Sequence, residues 1–378
     1  MKKFDFRYFI GICFFYLASF FPLNAQNFHA ADTWKIMENA NTAFDGKEFG
    51  EALKLCETAK QTHIQSIEAD IASLKKSLAP AEVKKAGDSI DRVLAVLEKR
   101  EETSAISIIN SVLLMHPSSY FNNSTASLID WMQNQKAFPE ADFLSGKIYE
   151  AEGETDLAFS FYGKALDAKA FLDVPDERFT IIYHMADIAK NEGNKGTWEK
   201  YLLLIPMEDP IFGKPGEESQ TLSAMIRILK SERTVEKFFY SFRHSNFIAL
   251  KAYQDLASFY YYDSKGRIDR ALPVAVLASC ISVTELSGVL SRNDFNFEYQ
   301  TLTDLMIRVG KNQKLVSWAH DKKIWDSFLL VAAILYDDGE KSQAVSLWTI
   351  LSLYCPDAVI ARKALDTLNL HNSIGLNT

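Results

Sequence analysis

Cysteine is scarce in this 378-residue chain, with only Cys13, Cys56, Cys280 and Cys355. Cys13 lies inside an N-terminal apolar run, and the other three are too far apart for a C-x-x-C site or a disulfide framework. Three packed thiols are the simplest reading, and one disulfide with a spare thiol is the other. Strand signals are scarce too. Basic charge is in the minority, 41 Lys and Arg against 49 Asp and Glu, for a net charge of -8. That balance argues against a nucleic-acid partner, which needs cations to displace counterions from phosphate. It gives no support for attraction to an anionic membrane surface.

The motifs of catalysis are missing as well. There is no G-x-x-x-x-G-K-[ST] loop, no G-x-G-x-x-G and no G-x-S-x-G elbow. His29, His63, His116, His184, His244, His320 and His371 are dispersed, and none has metal-site spacing to another histidine or a cysteine. Acidic pairs such as Asp337 with Asp338, or Glu101 with Glu102, read as helix-end charges that complement the macrodipole. The expectation is a non-enzyme with no catalytic residue, no cofactor and no metal. Asn122 and Asn123 match the N-glycosylation pattern, which matters only in a eukaryotic secretory pathway.

What is present begins at the N-terminus. MKKFDFR is basic, YFIGICFFYLASFF is apolar, and PLNA ends in a small residue before Gln26. This order predicts a secretory signal over 1–25, cleaved after Ala25, with an uncleaved anchor as the weaker alternative. Its removal takes Lys2, Lys3, Arg7 and Asp5 with it and leaves a net charge of -10. Cys13 sits mid-run, so a lipoprotein signal is not indicated. No later segment reads as long and apolar enough to span a bilayer, so the mature chain is expected without a transmembrane segment, exported and periplasmic or secreted.

Beyond residue 30, apolar residues recur at three- and four-residue intervals, and 48% of the chain is hydrophobic. The pattern predicts an all-α chain. Predicted helices include 31–44, 49–78, 81–99, 103–115, 140–151, 155–168, 177–191, 248–262, 268–279, 297–309, 325–336, 342–353 and 358–368. PMEDPIFGKPGEES, residues 206–219, reads as a loop or linker between arrays over 26–205 and 220–370, with a tail over 371–378. It is equally a hinge or a surface loop in one continuous stack.

The segment GKIYEAEGETDLAFSFYGKAL, 146–166, shows the organising unit. Gly146 and Tyr149 share one helix face, Gly153 permits the reversal, and Ala158, Tyr162 and Ala165 share the face of the returning helix. Similar spacings place Ala40, Ala43, Phe49, Ala52, Cys56 and Ala59 in a first unit. A last unit holds Ala332, Leu335, Gly339, Ala344, Trp348, Leu351 and Pro356. These units resemble the tetratricopeptide repeat, paired antiparallel helices of about 34 residues. The intervals here are not a steady 34, since Ala52, Ala105 and Ala158 fall 53 residues apart. The resemblance therefore implies an irregular α-solenoid with extra long helices in its N-terminal half.

It also implies a ligand surface on the first helix of each unit. The residues there are Met37, Asn41 and Phe44, then Phe143, Lys147 and Glu150, then Leu329, Ala333 and Tyr336. With only Asn41 and Lys147 suited to a carboxylate clamp, an apolar peptide or helix fits better. The resulting expectation is an exported scaffold that holds a protein partner in cell-envelope assembly or secretion. The alternative is an accessory protein of solute uptake that binds a small hydrophobic ligand.

Overall fold

The computed structural model describes residues 33–213, 219–231, 235–263, 267–293 and 297–375. The expected signal over 1–25, residues 214–218 of the expected linker and residues 376–378 of the expected tail lie outside them. The described chain is all-α, and its only β feature is an isolated bridge between Ser89 and Ser124. It divides into two compact units between His184 and Met185, inside the helix Glu177–Asn191. The sequence placed the boundary at 206–219 instead. Asp209 fastens the start of that segment to His244, Asn246 and Tyr253 of the second unit.

In the first unit, α1 (Thr33–Asp45) and α2 (Phe49–Leu78) form a hairpin. The turn is closed by Glu48 N–H donating to Ala43 O at 2.8 Å, with Lys47 in the left-handed region at φ 61°. α2 has 30 residues, and its buried positions recur every three or four: Ala52, Cys56, Ala59, His63, Ile67, Ile71 and Leu74. Its first half packs with Met37, Ala40 and Ala43 against Phe138, Ala141, Leu144 and Ile148. Its second half joins a separate core made by α3 (Ala81–Lys85), α4 (Ile90–Lys99), α5 (Thr103–Met115) and α6 (Thr125–Asn134). One long helix thus serves two cores, which stretches the interval between hairpins.

The helix expected over 81–99 is in fact α3 and α4. Gly87, at φ 77°, breaks it. The carboxylate of Asp88 then accepts hydrogen bonds from the hydroxyls of Ser124 and Thr125 and from Ala126 N–H, pinning the start of α6. α7 (Pro139–Glu152) and α8 (Thr155–Asp167) form the next hairpin. Gly153 is left-handed at φ 83°, and Glu154 N–H donates to Tyr149 O at 2.9 Å. Ala158, Tyr162 and Ala165 are fully buried against α7. α9 (Glu177–Asn191) follows.

The second unit contains α10 (Lys195–Leu203), α11 (Gln220–Ser231), α12 (Val235–Ser241) and α13 (Leu250–Ser258). The sequence extended a helix through Tyr262, but Phe259–Asp263 is a π-helical turn. α14 (Ile268–Asn293) runs 26 residues, well past the expected Ser279. Pro273 sits inside it, so one backbone hydrogen bond is missing there. Among the described residues α14 is the one helix long and apolar enough to cross a membrane, with a mean hydropathy of 1.7 over its best window. This corrects the expectation of no such segment. Two thirds of that window is buried within the protein, with Ala271, Ala275, Ala278, Ile281 and Leu286 in the core.

α15 (Leu302–Gly310), α16 (Gln313–Asp321), α17 (Ile324–Asp337), α18 (Lys341–Tyr354) and α19 (Ala358–Gly375) complete the unit. The expected helix start at Phe297 is displaced to Leu302 because Thr301 caps it, its hydroxyl accepting from Asp304 N–H at 3.0 Å. α19 continues through the first residues of the expected tail.

The Asp209 carboxylate is buried and accepts from His244 Nε2, from Asn246 Nδ2 at 2.9 Å, from Tyr253 Oη at 2.8 Å and from Ile211 N–H at 3.0 Å. Burial alone would raise its pKa. The hydrogen bonds from His244, Asn246, Ile211 and Tyr253 prevail and hold it at about 2.

Candidate functional site

The first unit contains a cleft of about 430 Å³ bordered by α1, α7 and the segment that follows α8. α1 contributes Trp34, Met37, Glu38 and Asn41, at positions i, i+3, i+4 and i+7. α7 contributes Glu140, Phe143, Leu144 and Lys147 with the same spacing. Each helix thus turns one continuous face toward the cleft. Phe138, just ahead of α7, and Asp173 and Glu177, beyond α8, complete it.

The walls are apolar and aromatic. Trp34 stands at the rim with 58% of its surface exposed, whereas Met37, Phe138, Phe143 and Leu144 are buried in the adjoining core. Asn41 Nδ2 donates to Met37 O at 2.9 Å, which leaves the side-chain carbonyl to accept from a ligand. Lys147 Nζ lies 5.3 Å from the centre of the Phe44 ring and 5.2 Å from that of Phe143. The two rings thus hold the ammonium by cation–π attraction. Four carboxylates, Glu38, Glu140, Asp173 and Glu177, accompany this one cation. The pKa of Glu177 is raised, first by burial and then by the charge of Asp173, while Lys147 opposes the shift.

Four of the residues expected on the ligand surface, Met37, Asn41, Phe143 and Lys147, meet in this cleft. Phe44 sits one contact behind it, against Lys147 and, at 6.0 Å, Phe49. Glu150 has a different part. One of its oxygens accepts from Tyr162 Oη at 2.5 Å and pairs with His184 Nδ1 at 2.8 Å. Burial first, then the Glu150 hydrogen bond, raises the Tyr162 pKa, so this hydroxyl stays protonated and tied. Phe143 is also more buried than a groove residue needs to be, with its ring 5.9 Å from that of Tyr162.

In the second unit, Leu329 lines a separate cleft. Ala333 is half-buried outside it, and Tyr336 packs on Trp348 at 5.4 Å and on His371 of α19 at 4.0 Å. The three share a half-buried face of α17, and of them only Leu329 lines that cleft. Sequence reasoning missed Trp34, Glu38, Phe138, Glu140, Leu144, Asp173 and Glu177. Trp34 and Glu140 lie one turn before residues already singled out, so extending the helical spacing backward would have reached them. Asp173 and Glu177 arrive through a non-local approach that periodicity does not encode.

Among the described residues, no group of three or more His, Cys, Asp or Glu side chains is arranged to hold a metal. Cys56 and Cys280 are buried free thiols, and Cys355 is a half-buried one.

No family model matches the sequence, and no solved structure matches it. Over 339 residues it is 35% identical to a protein of Treponema pallidum (strain Nichols) described as an uncharacterized protein, and the alignment covers 90% of each chain. Identity at that level along nearly the whole length of both proteins means that the chain belongs to the same family as the Treponema pallidum protein.

Proposed function

We propose that this protein is a non-enzymatic scaffold of the cell envelope and that the cleft of its first unit holds an apolar segment of a partner protein. Its hairpins are taken as an irregular α-solenoid akin to tetratricopeptide repeats. The basic-apolar-small order of residues 1–25 supports export. The observation that carries the reading is the pair of matched helix faces, Trp34 to Asn41 and Glu140 to Lys147, flanking one aromatic-walled cleft. A partner helix or extended strand would place an apolar anchor against Trp34, Met37 and Phe143. The four surrounding carboxylates favour basic side chains beside that anchor and disfavour nucleic acid.

The test is capture by the tagged full-length protein in the cell that makes it. A discrete envelope protein should be retained by the wild type and lost on Trp34→Asp, with helix content unchanged. A second reading, a small hydrophobic ligand held in solute uptake, is favoured by the volume of the cleft, which lies within the range of small-molecule sites of about 300–1,000 Å³. Solvent extraction of purified protein followed by mass spectrometry separates the two. A copurified small molecule, with no protein partner, would select the second.

A further inference from the structure

The second unit has a cleft of its own, about 420 Å³, whose chemistry differs from that of the first. Its floor is made of small side chains, Ala257 and Ser258 at the end of α13 and Ala275 and Ala278 on α14. Leu329, Leu330 and Tyr262 supply an apolar wall. Around this wall the charges balance, Lys323 and Lys363 against Asp255 and Asp326. Asp255 is engaged by Lys251 at 3.3 Å. Lys323, Lys363 and Asp326 line the same cavity, yet none forms an ion pair with any described residue.

The backbone that positions these groups breaks helical rules and is held in place. Tyr262 is delivered by the π-helical turn Phe259–Asp263, a geometry that concentrates at functional sites. That turn is pinned to α17 by Tyr261 Oη, which donates to Asp337 Oδ2 at 2.7 Å. Lys323 precedes α17 in the left-handed region at φ 51°, which a residue with a side chain adopts only when its surroundings hold it there. The two N–H groups of Gln254 Nε2, one of them shared, secure it by donating to Lys322 O at 3.1 Å, Lys323 O at 3.0 Å and Ser327 Oγ at 3.0 Å.

We propose that this cleft binds a short peptide with both ends free, of two or three residues with an apolar side chain. Its carboxylate is taken by Lys323 and Lys363, its ammonium by Asp326, and its side chain by the Leu329–Tyr262 wall. The volume of about 420 Å³ suits a ligand of that size. Charges of both signs around one cleft disfavour a bare anion, which the two aspartates repel, and favour a ligand carrying both signs over a purely apolar one.

Titration calorimetry on the purified full chain tests this, with Ala-Leu-Ala as the lead probe in a panel of di- and tripeptides of Ala, Leu and Phe. Ala-Leu-Ala should bind, and blocking either end, as the N-acetyl form or the C-terminal amide, should weaken binding about tenfold or more. Lys363→Ala and Asp326→Asn should each do the same while leaving the far-ultraviolet spectrum unchanged. Undiminished binding of the N-acetyl form would overturn the proposal in favour of the chain end of a longer partner. Equal binding of the free and blocked forms, or no binding by any member of the panel, would overturn the site altogether.

Discussion

Gly146 on α7 lies directly over the ring of Tyr162 on α8. A Cβ atom placed on Gly146 would meet Tyr162 Cδ1 and Cε1 at 2.5 Å. The ring has no room to retreat, being fully buried with its hydroxyl bound to Glu150. The glycine is thus what permits the α7–α8 hairpin to close, and that hairpin positions Phe143 and Lys147 for the cleft.

Gly146→Ala should destabilise the first unit by about 1–3 kcal/mol, although alanine is the better helix former. Urea unfolding followed by circular dichroism measures this. An unchanged or raised midpoint would mean that the two helices separate without cost.

Trp34→Ala should leave stability within about 0.5 kcal/mol of wild type, because the ring is largely exposed. Partner capture should nevertheless fall by about tenfold or more, as for an aromatic anchor. Phe143→Asp should act differently, since it buries a charge beside Tyr162, and should destabilise the fold by about 3 kcal/mol or more. Capture and unfolding measured on both variants separate a cleft residue from a core one.

Asp209 gives a signed pH dependence. Its folded pKa of about 2 lies below its ordinary 3.8. The stability it contributes is therefore complete above about pH 4 and is lost as the pH falls toward about 2. Asp209→Asn should remove about 2–3 kcal/mol at neutral pH, because its amide meets donors rather than acceptors. It should also flatten the decline between pH 4 and pH 2. Unfolding midpoints across that range provide the check.

Burial first pushes the Cys56 thiol up to about 11 and the Cys280 thiol to about 12. The Cys355 thiol, also chiefly through burial, rises to about 12. None should react with a disulfide reagent in native protein at pH 8, and all three should react in denaturant. Rapid native labelling at any of them, mapped by peptide mass, would contradict this.

Helix identity was legible wherever a strong apolar stripe ended in turn chemistry. Phe49–Leu78, Thr103–Met115 and Glu177–Asn191 match the spacing of their apolar residues. Errors arose where tertiary packing overrode local signals. The apolar run after Ser279 continues as α14 because it is buried on most sides, which blurs its periodicity. Gly87 split a helix that its flanking residues alone would have continued. Four of the eleven residues lining the first cleft, Met37, Asn41, Phe143 and Lys147, were readable because they sit on helical faces. The carboxylates Asp173 and Glu177 come from a segment far along the chain, so only the folded arrangement brings them there.

On the proposed function, the first-unit cleft seats a partner protein. A photo-crosslinking amino acid placed at Asn41, inside the cleft, and in a control at Lys54, on the exposed side of α2, tests it most directly in the producing cell. One discrete protein adduct should form from position 41, be absent from position 54 and be abolished by Trp34→Ala. Adducts that are identical at the two positions, or that survive Trp34→Ala undiminished, would contradict it.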